Sequence, residues 1–302
     1  MSRVVSIVKL GRPLFLGGGF ILYGLGAAIA AATGHALDGA RYALGQGAVT
    51  AFQLMTHYAN DYFDYEADRA NVTPTKWSGG SRVLPSGELP RSVALACSLV
   101  CAALGISISI ALAASGAGPL VLPTLALVGL LAWFYSAPPL RLCASGLGEL
   151  DTALVVTVLV PWLGFYLQAG TDEAGLKLLA LSVVTPALLQ LAMLLAIEFP
   201  DAAGDAATGK RTLVVRLGAP RSAALYVAIT AFAFGWPAIA YTYGLPARVV
   251  AALLAPAPLA IWRMFRIADH ADPSAFERLT FWAVGLLVAT SALELVAWLA
   301  VT

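Results

Sequence analysis

The stretch Asn60-Asp61-Tyr62-Phe63-Asp64-Tyr65-Glu66-Ala67-Asp68 places four acids at the end of an otherwise apolar run. On a helix Asp61, Asp64 and Asp68 stand at i, i+3 and i+7 and share one face, while Glu66 points away. Like charges on one strip repel, and a hard divalent cation that takes carboxylate oxygens as ligands relieves them. Glu198, Asp201 and Asp205 repeat the spacing after a second apolar run, again ahead of a basic loop. Hydrated helix ends in ordinary salt bridges would explain one such strip. Two matched strips point to a shared ligand: Mg2+ held by Asp61, Asp64, Asp68, Asp201, Asp205 and Glu198, enough to neutralise a pyrophosphate. Asn60 can hydrogen-bond a phosphate- or metal-bound group in the same site. Pro200 requires the second helix to kink, or to restart with proline in its first turn.

These strips need long apolar elements to position them. The chain has 302 residues, 60% hydrophobic and 12% charged, with a mean hydropathy of +0.82, which is about half the charge of a soluble domain. The predicted fold is all-α: a polytopic membrane protein with nine transmembrane helices bundled around a central cavity. The apolar segments run 14–32, 42–63, 92–114, 119–135, 149–169, 176–199, 222–243, 247–267 and 279–300. Pro13 to Ala32 is too long for the apolar region of a signal peptide and reads as the first span.

Only Arg41, Lys177 and Arg248 of the 18 basic residues fall on connections at one side of this arrangement. The other side holds the N-terminus and both acidic motifs, which places them in the cytoplasm and the C-terminus outside. The expected setting is a bacterial cytoplasmic membrane. All of 1–302 reads as one intramembrane domain, with loops 64–91 and 200–221 as its cap. Net charge of +1 and the lack of an aromatic-basic tract give no sign of a nucleic-acid partner, so membrane lipids are the expected surroundings. The sequence leaves the oligomeric state open. Cys97, Cys101 and Cys143 read as small packing residues without disulfides.

Basic side chains near the strips are candidates to bind a diphosphate: Arg69, Arg82, Arg141, Lys210 and Arg211. Each also fits an anchor at lipid headgroups. Tyr135 ends the fourth apolar segment and is placed to stack on, or hydrogen-bond, a substrate. His57, one turn before Asp61, either orients that carboxylate or packs as a neutral core residue.

Asn60-Asp61-x-x-Asp64-x-x-x-Asp68 resembles the first signature of the UbiA superfamily of intramembrane aromatic prenyltransferases. Asp201-x-x-x-Asp205 followed by Gly209-Lys210-Arg211-Thr212-Leu213 resembles the second. Tyr135-Ser136-Ala137-Pro138-Pro139-Leu140-Arg141 and Gly146-Leu147-Gly148-Glu149 sit where that superfamily has its loop between the fourth and fifth spans. The resemblance covers nearly the whole chain. It implies Mg2+-dependent transfer of a polyprenyl group from an isoprenyl diphosphate to an aromatic acceptor, with the metal held by both aspartate motifs.

The Gly146–Glu149 stretch and the Gly209–Gly218 run look most like the branch acting on 1,4-dihydroxy-2-naphthoate in menaquinone biosynthesis. The alternatives are branches with 4-hydroxybenzoate, chlorophyllide or glycerol-phosphate lipid acceptors. A cation-coupled transporter, with the acids forming an ion path, is the alternative of a different class.

Overall fold

The computed structural model describes residues 2–301. Its helices are α1 (Arg3–Leu10), α2 (Pro13–Ala32), α3 (Gly39–Phe63), α4 (Tyr65–Ala70), α5 (Arg91–Ala114) and α6 (Val121–Phe134). After a loop come α7 (Gly148–Ala169), α8 (Glu173–Glu198), α9 (Ala202–Ala207), α10 (Leu213–Leu217), α11 (Ala219–Thr242), α12 (Ala247–Ala271) and α13 (Pro273–Leu299). There is no strand among the described residues.

Seven of these, α2, α5, α7, α8, α11, α12 and α13, are long and apolar enough to cross a bilayer, as befits an integral membrane protein. The other two expected spans fall short for different reasons. α3 has 25 residues, but Arg41, Gln46, Gln53, His57, Asn60 and Asp61 dilute its apolar character. α6 has 14 residues, about 21 Å of helix against a hydrocarbon core of about 30 Å.

α2 packs against α7 and α13, α13 against α8 and α12, α8 against α11, and α3 against α5 and α6. Where α2 crosses α7 the two backbones touch. A Cβ on Gly26 would lie 1.9 Å from the Pro161 carbonyl oxygen, and one on Gly164 would lie 2.2 Å from that of Tyr23. α7 also takes a π-helical stretch at Val155–Leu159, just before Pro161. Proline lacks the N–H that would close the preceding turn, and the wider π ring absorbs the mismatch.

Neither acidic strip lies on one unbroken helix. α3 ends at Phe63, Asp64 forms a bend, and α4 begins at Tyr65. α8 ends at Glu198, Pro200 lies in the turn, and α9 begins at Ala202 behind Asp201. The second helix therefore restarts, with proline ahead of its first turn rather than inside it. The short helices that follow, α4 and α9, pack on each other. Gly204 permits this, since a Cβ there would meet the Asn71 backbone at 3.1 Å.

Candidate active site

Connections that are distant in sequence meet beside α4 and α9. Asn71 Nδ2 donates to Asp201 Oδ1 at 2.7 Å, the Gly79 N–H donates to Asp201 Oδ2 at 3.1 Å, and Thr73 Oγ1 donates to the Pro200 carbonyl at 2.9 Å. These bonds stitch loop 64–91 to the start of loop 200–221. Lys210 then joins the aspartates themselves, with Nζ 3.0 Å from Asp64 Oδ2 and 3.2 Å from Asp205 Oδ1. Burial opposes the Lys210 charge, but Asp64, then Cys143 and Asp205, outweigh it and raise its pKa well above the ordinary value.

Asp61 has a different cation. It accepts hydrogen bonds from Arg12 and from the Ser81 hydroxyl, and Arg12 also donates to Asn60 Oδ1 at 3.1 Å. Asn60 in turn donates to Asp64 Oδ2 at 2.8 Å and to Ser136 Oγ at 3.1 Å, tying the end of α3 to the loop after α6. His57 does not reach Asp61; it packs obliquely on Phe15, with ring centroids 5.8 Å apart. Cys143, which sits 3.8 Å from Asp64 Oδ2, has its thiol pKa raised by burial and by Asp64.

Asp68 is nine-tenths buried, and its pKa is raised well above the usual carboxylate value. Burial is the largest cause; Arg12 opposes it, and Asp61, Asp64 and Asp201 add to it. Burial likewise raises Asp205, against the pull of Lys210, and pushes Asp201 up to about 6 with help from Asp205. Five aspartates from both motifs thus act on one another in a poorly hydrated place.

Glu198 is not among them. Its Oε2 accepts from the Val214 N–H at 3.4 Å, and it shares a side-chain hydrogen bond with Glu149, whose Oε1 accepts from the Leu213 N–H at 3.1 Å. Past Pro200 the Glu198 carboxylate is thus bonded with Glu149 to the start of α10, while it still feels the charge of Asp205. Arg69, Arg141 and Arg211 are exposed and form no ion pair with the aspartates. Arg82 lies at the edge, donating to the Asp68 backbone carbonyl. Arg12, Asn71, Ser81 and Ser136 carry no local signal of these roles, because the contacts depend on tertiary structure.

Among the described residues no three His, Cys, Asp or Glu side chains converge as a ready-made metal site, because Lys210 and Arg12 take up the carboxylates instead. In kind the donors suit a hard cation. No hydrogen-bond donor among the described residues reaches the Asp68 carboxylate, and a Cβ on Gly80 would stand 2.0 Å from its Oδ2, so glycine with φ +73° leaves that oxygen clear.

A cavity of about 370 Å³ is lined by Arg12, Asn60 and Tyr135 from around this cluster and by largely apolar side chains of α2, α3, α7, α8 and α13. Eleven buried side-chain nitrogen or oxygen atoms lack a hydrogen-bond partner among the described residues, and five belong to residues lining this cavity: Arg12 Nε, His57 Nε2, Trp77 Nε1, Asp151 Oδ1 and Ser291 Oγ. Apolar walls with a few polar atoms left free are the usual lining of ligand pockets.

Comparison with known proteins agrees. The chain is 30% identical over 184 residues to digeranylgeranylglyceryl phosphate synthase of Methanoregula boonei, a match spanning 61% of this chain and 60% of that protein. A solved structure of a digeranylgeranylglyceryl phosphate synthase shares the fold, with a TM-score of 0.67 at 18% identity over 99% of this chain and 100% of that one. So does a UbiA homologue from Archaeoglobus fulgidus bound to DMAPP and Mg2+, with a TM-score of 0.66 at 14% identity over 96% and 99% of the two chains. Residues 20–301 match the UbiA prenyltransferase family, and the chain belongs to that family of membrane enzymes.

Proposed function

We propose that this enzyme transfers a prenyl group from a prenyl diphosphate, with Mg2+, to a hydroxyl of a glycerol-phosphate lipid. The observation that carries the donor half is the Lys210 bridge, which brings Asp64 of one motif and Asp205 of the other to a single charged group beside an apolar cavity. Asp64, Asp68, Asp201 and Asp205 would hold the cation. When bound, it supplies positive charge to the departing pyrophosphate. Lys210 and Arg82 add cationic groups to the same end, and Arg12 with Ser81 keeps Asp61 in place. The prenyl chain fits the apolar walls, which keep water from an allylic cation.

Support for the acceptor comes from the relative in Methanoregula boonei, named for making digeranylgeranylglyceryl phosphate. That name points to a glycerol-phosphate lipid acceptor rather than dihydroxynaphthoate. Free donors on Arg12 and Trp77 suit an anionic acceptor head. All nine expected spans would then cross the membrane, α3 and α6 shielded by their neighbours, with the acidic loops forming a cytoplasmic cap and the C-terminus outside. A transporter is disfavoured because the interacting aspartates gather at one end of the bundle.

Pyrophosphate release and product mass, measured on purified protein with Mg2+, a prenyl diphosphate and competing acceptors, test this reading. Prenylated glycerol-phosphate lipid is the expected product. Prenylated naphthoate in its place would return the acceptor to the aromatic class, and no release with any acceptor would remove the reading.

A further inference from the structure

Asp151 lies in the first turn of α7 and is only 8% exposed, yet Oδ1 has no donor among the described residues. Thr152, Asn60 and Glu149 are already committed. The Thr152 hydroxyl donates back to the Gly148 and Glu149 carbonyls at 3.0 and 3.1 Å, and the Asn60 amide donates to Asp64 and Ser136. Glu149, two residues earlier, is occupied by the Leu213 N–H. A buried carboxylate oxygen without a donor is costly, and such groups persist where a ligand completes them.

Its place in the molecule says which ligand. Asp151 lines the cavity together with Asn60, Tyr135 and Thr152. Gly148, one turn before it, lies against the Tyr135 ring, 3.4 Å from its own would-be Cβ. Tyr135 adjoins Ser136, which binds Asn60, which binds Asp64. The free oxygen is therefore one helical turn from Gly148, which connects through Tyr135, Ser136 and Asn60 to Asp64 at the diphosphate end, and its residue lines the same cavity, in which prenyl C1 and the acceptor must meet.

We propose that Asp151 is a catalytic residue that binds the acceptor's hydroxyl and receives its proton. This rests on the hydroxyl-acceptor reading above. A lone pair of the acceptor oxygen forms the new bond to C1 of the prenyl group. The bond from C1 to the diphosphate oxygen breaks, and its electron pair leaves with pyrophosphate. The hydroxyl proton passes to Asp151 Oδ1 and returns to water after product release. The requirement is an O–H aimed at this wall, so Asp151 selects hydroxyl nucleophiles and positions them for attack.

The test compares wild type, Asp151→Asn and Asp151→Glu with Mg2+, a prenyl diphosphate and a glycerol-phosphate lipid, and also records melting temperature and prenyl diphosphate binding in the absence of acceptor. Asp151→Asn is expected to lower kcat about 10²- to 10⁴-fold, leaving prenyl diphosphate affinity and melting temperature within a few-fold and a few degrees of wild type. Asp151→Glu is expected to recover part of the loss. Equal kcat in wild type and Asp151→Asn overturns the assignment alone, as does a loss that follows melting temperature or donor affinity with no recovery in Asp151→Glu. A wild type that prenylates no hydroxyl acceptor overturns this assignment together with the acceptor reading.

Discussion

The two acidic motifs have the same spacing and different fates. In the first, the chain bends at Asp64 but helical bonding continues through the bend: the Asp64 N–H donates to the Asn60 carbonyl at 2.8 Å and the Asp68 N–H to that of Asp64 at 2.9 Å. All three aspartates stay near one another, and Asp61 and Asp64 each gain a cation. In the second, the chain passes Pro200 in tighter three-residue turns, the Asp201 N–H donating to the Glu198 carbonyl at 3.1 Å and the Ala202 N–H to that of Phe199 at 3.4 Å, and Asp201 and Asp205 go to the site while the Glu198 side chain holds α10. Spacing proposes a set of ligands; where the backbone breaks decides its membership.

The sharpest way to break the comparison is at its shared member. Asp64→Ala removes the acid between Asn60 and Lys210 and should cut turnover on the order of 10³-fold, read as pyrophosphate release. Unchanged turnover would mean that the first motif is not the diphosphate end. Gly80→Ala comes next. Its Cβ would collide with Asp68 Oδ2 on a left-handed backbone that costs a non-glycine residue about 1–2 kcal/mol. Turnover should fall roughly 10²-fold with only a modest drop in melting temperature.

The contrast within the second motif gives a paired test. Asp205→Asn should lower turnover by roughly 10-fold or more through the loss of the negative charge that faces Lys210, whereas Glu198→Gln should keep turnover within a few-fold. Glu198→Gln should act on melting temperature instead, because its backbone partner lies in α10. A collapse of metal binding in Glu198→Gln would restore that residue to the ligand set.

The smallest effect concerns pH. With its pKa pushed up to about 6, Asp201 binds its proton more tightly in the folded chain than an unfolded aspartate does. Its contribution to folding is present at low pH and is lost as pH rises through about 6. Binding a cation needs the carboxylate, so stabilisation by Mg2+ should grow across the same interval. Melting temperatures with and without Mg2+ between about pH 5 and about pH 7.5 would show this. An Mg2+ effect that does not change with pH would take Asp201 out of the ligand set.

The helical architecture and the two acidic motifs are readable from the chain because apolar length and acid spacing are local properties. The seven long helices are each announced by a predominantly apolar run, whereas α3 and α6 are helical without meeting the length and apolarity of a lone span. Arg12 escaped notice because its contact with Asp61 joins residues 49 positions apart, and nothing local separates it from Arg3 or Lys9. The bend at Asp64 has no proline or glycine to mark it. Arg69, Arg141 and Arg211 carried the right charge on the right loops but point outward, a direction that composition does not encode. Asp151 falls near the start of the predicted 149–169 segment, where nothing local marks an oxygen left without a donor.

The π-helical stretch at Val155–Leu159 divides α7 into two halves whose rotational phases are set separately. Above it, Gly148–Leu154 answers to the charged end; below it, Gly164 is locked to the α2 backbone at Tyr23. Deleting one residue from the wide turn would swing the upper half by roughly 100° with the lower half unmoved, taking Asp151 off the chamber wall. The bulge thus lets the lineage retune reactive chemistry at one end of a rod without reworking the greaseless backbone contact at the other.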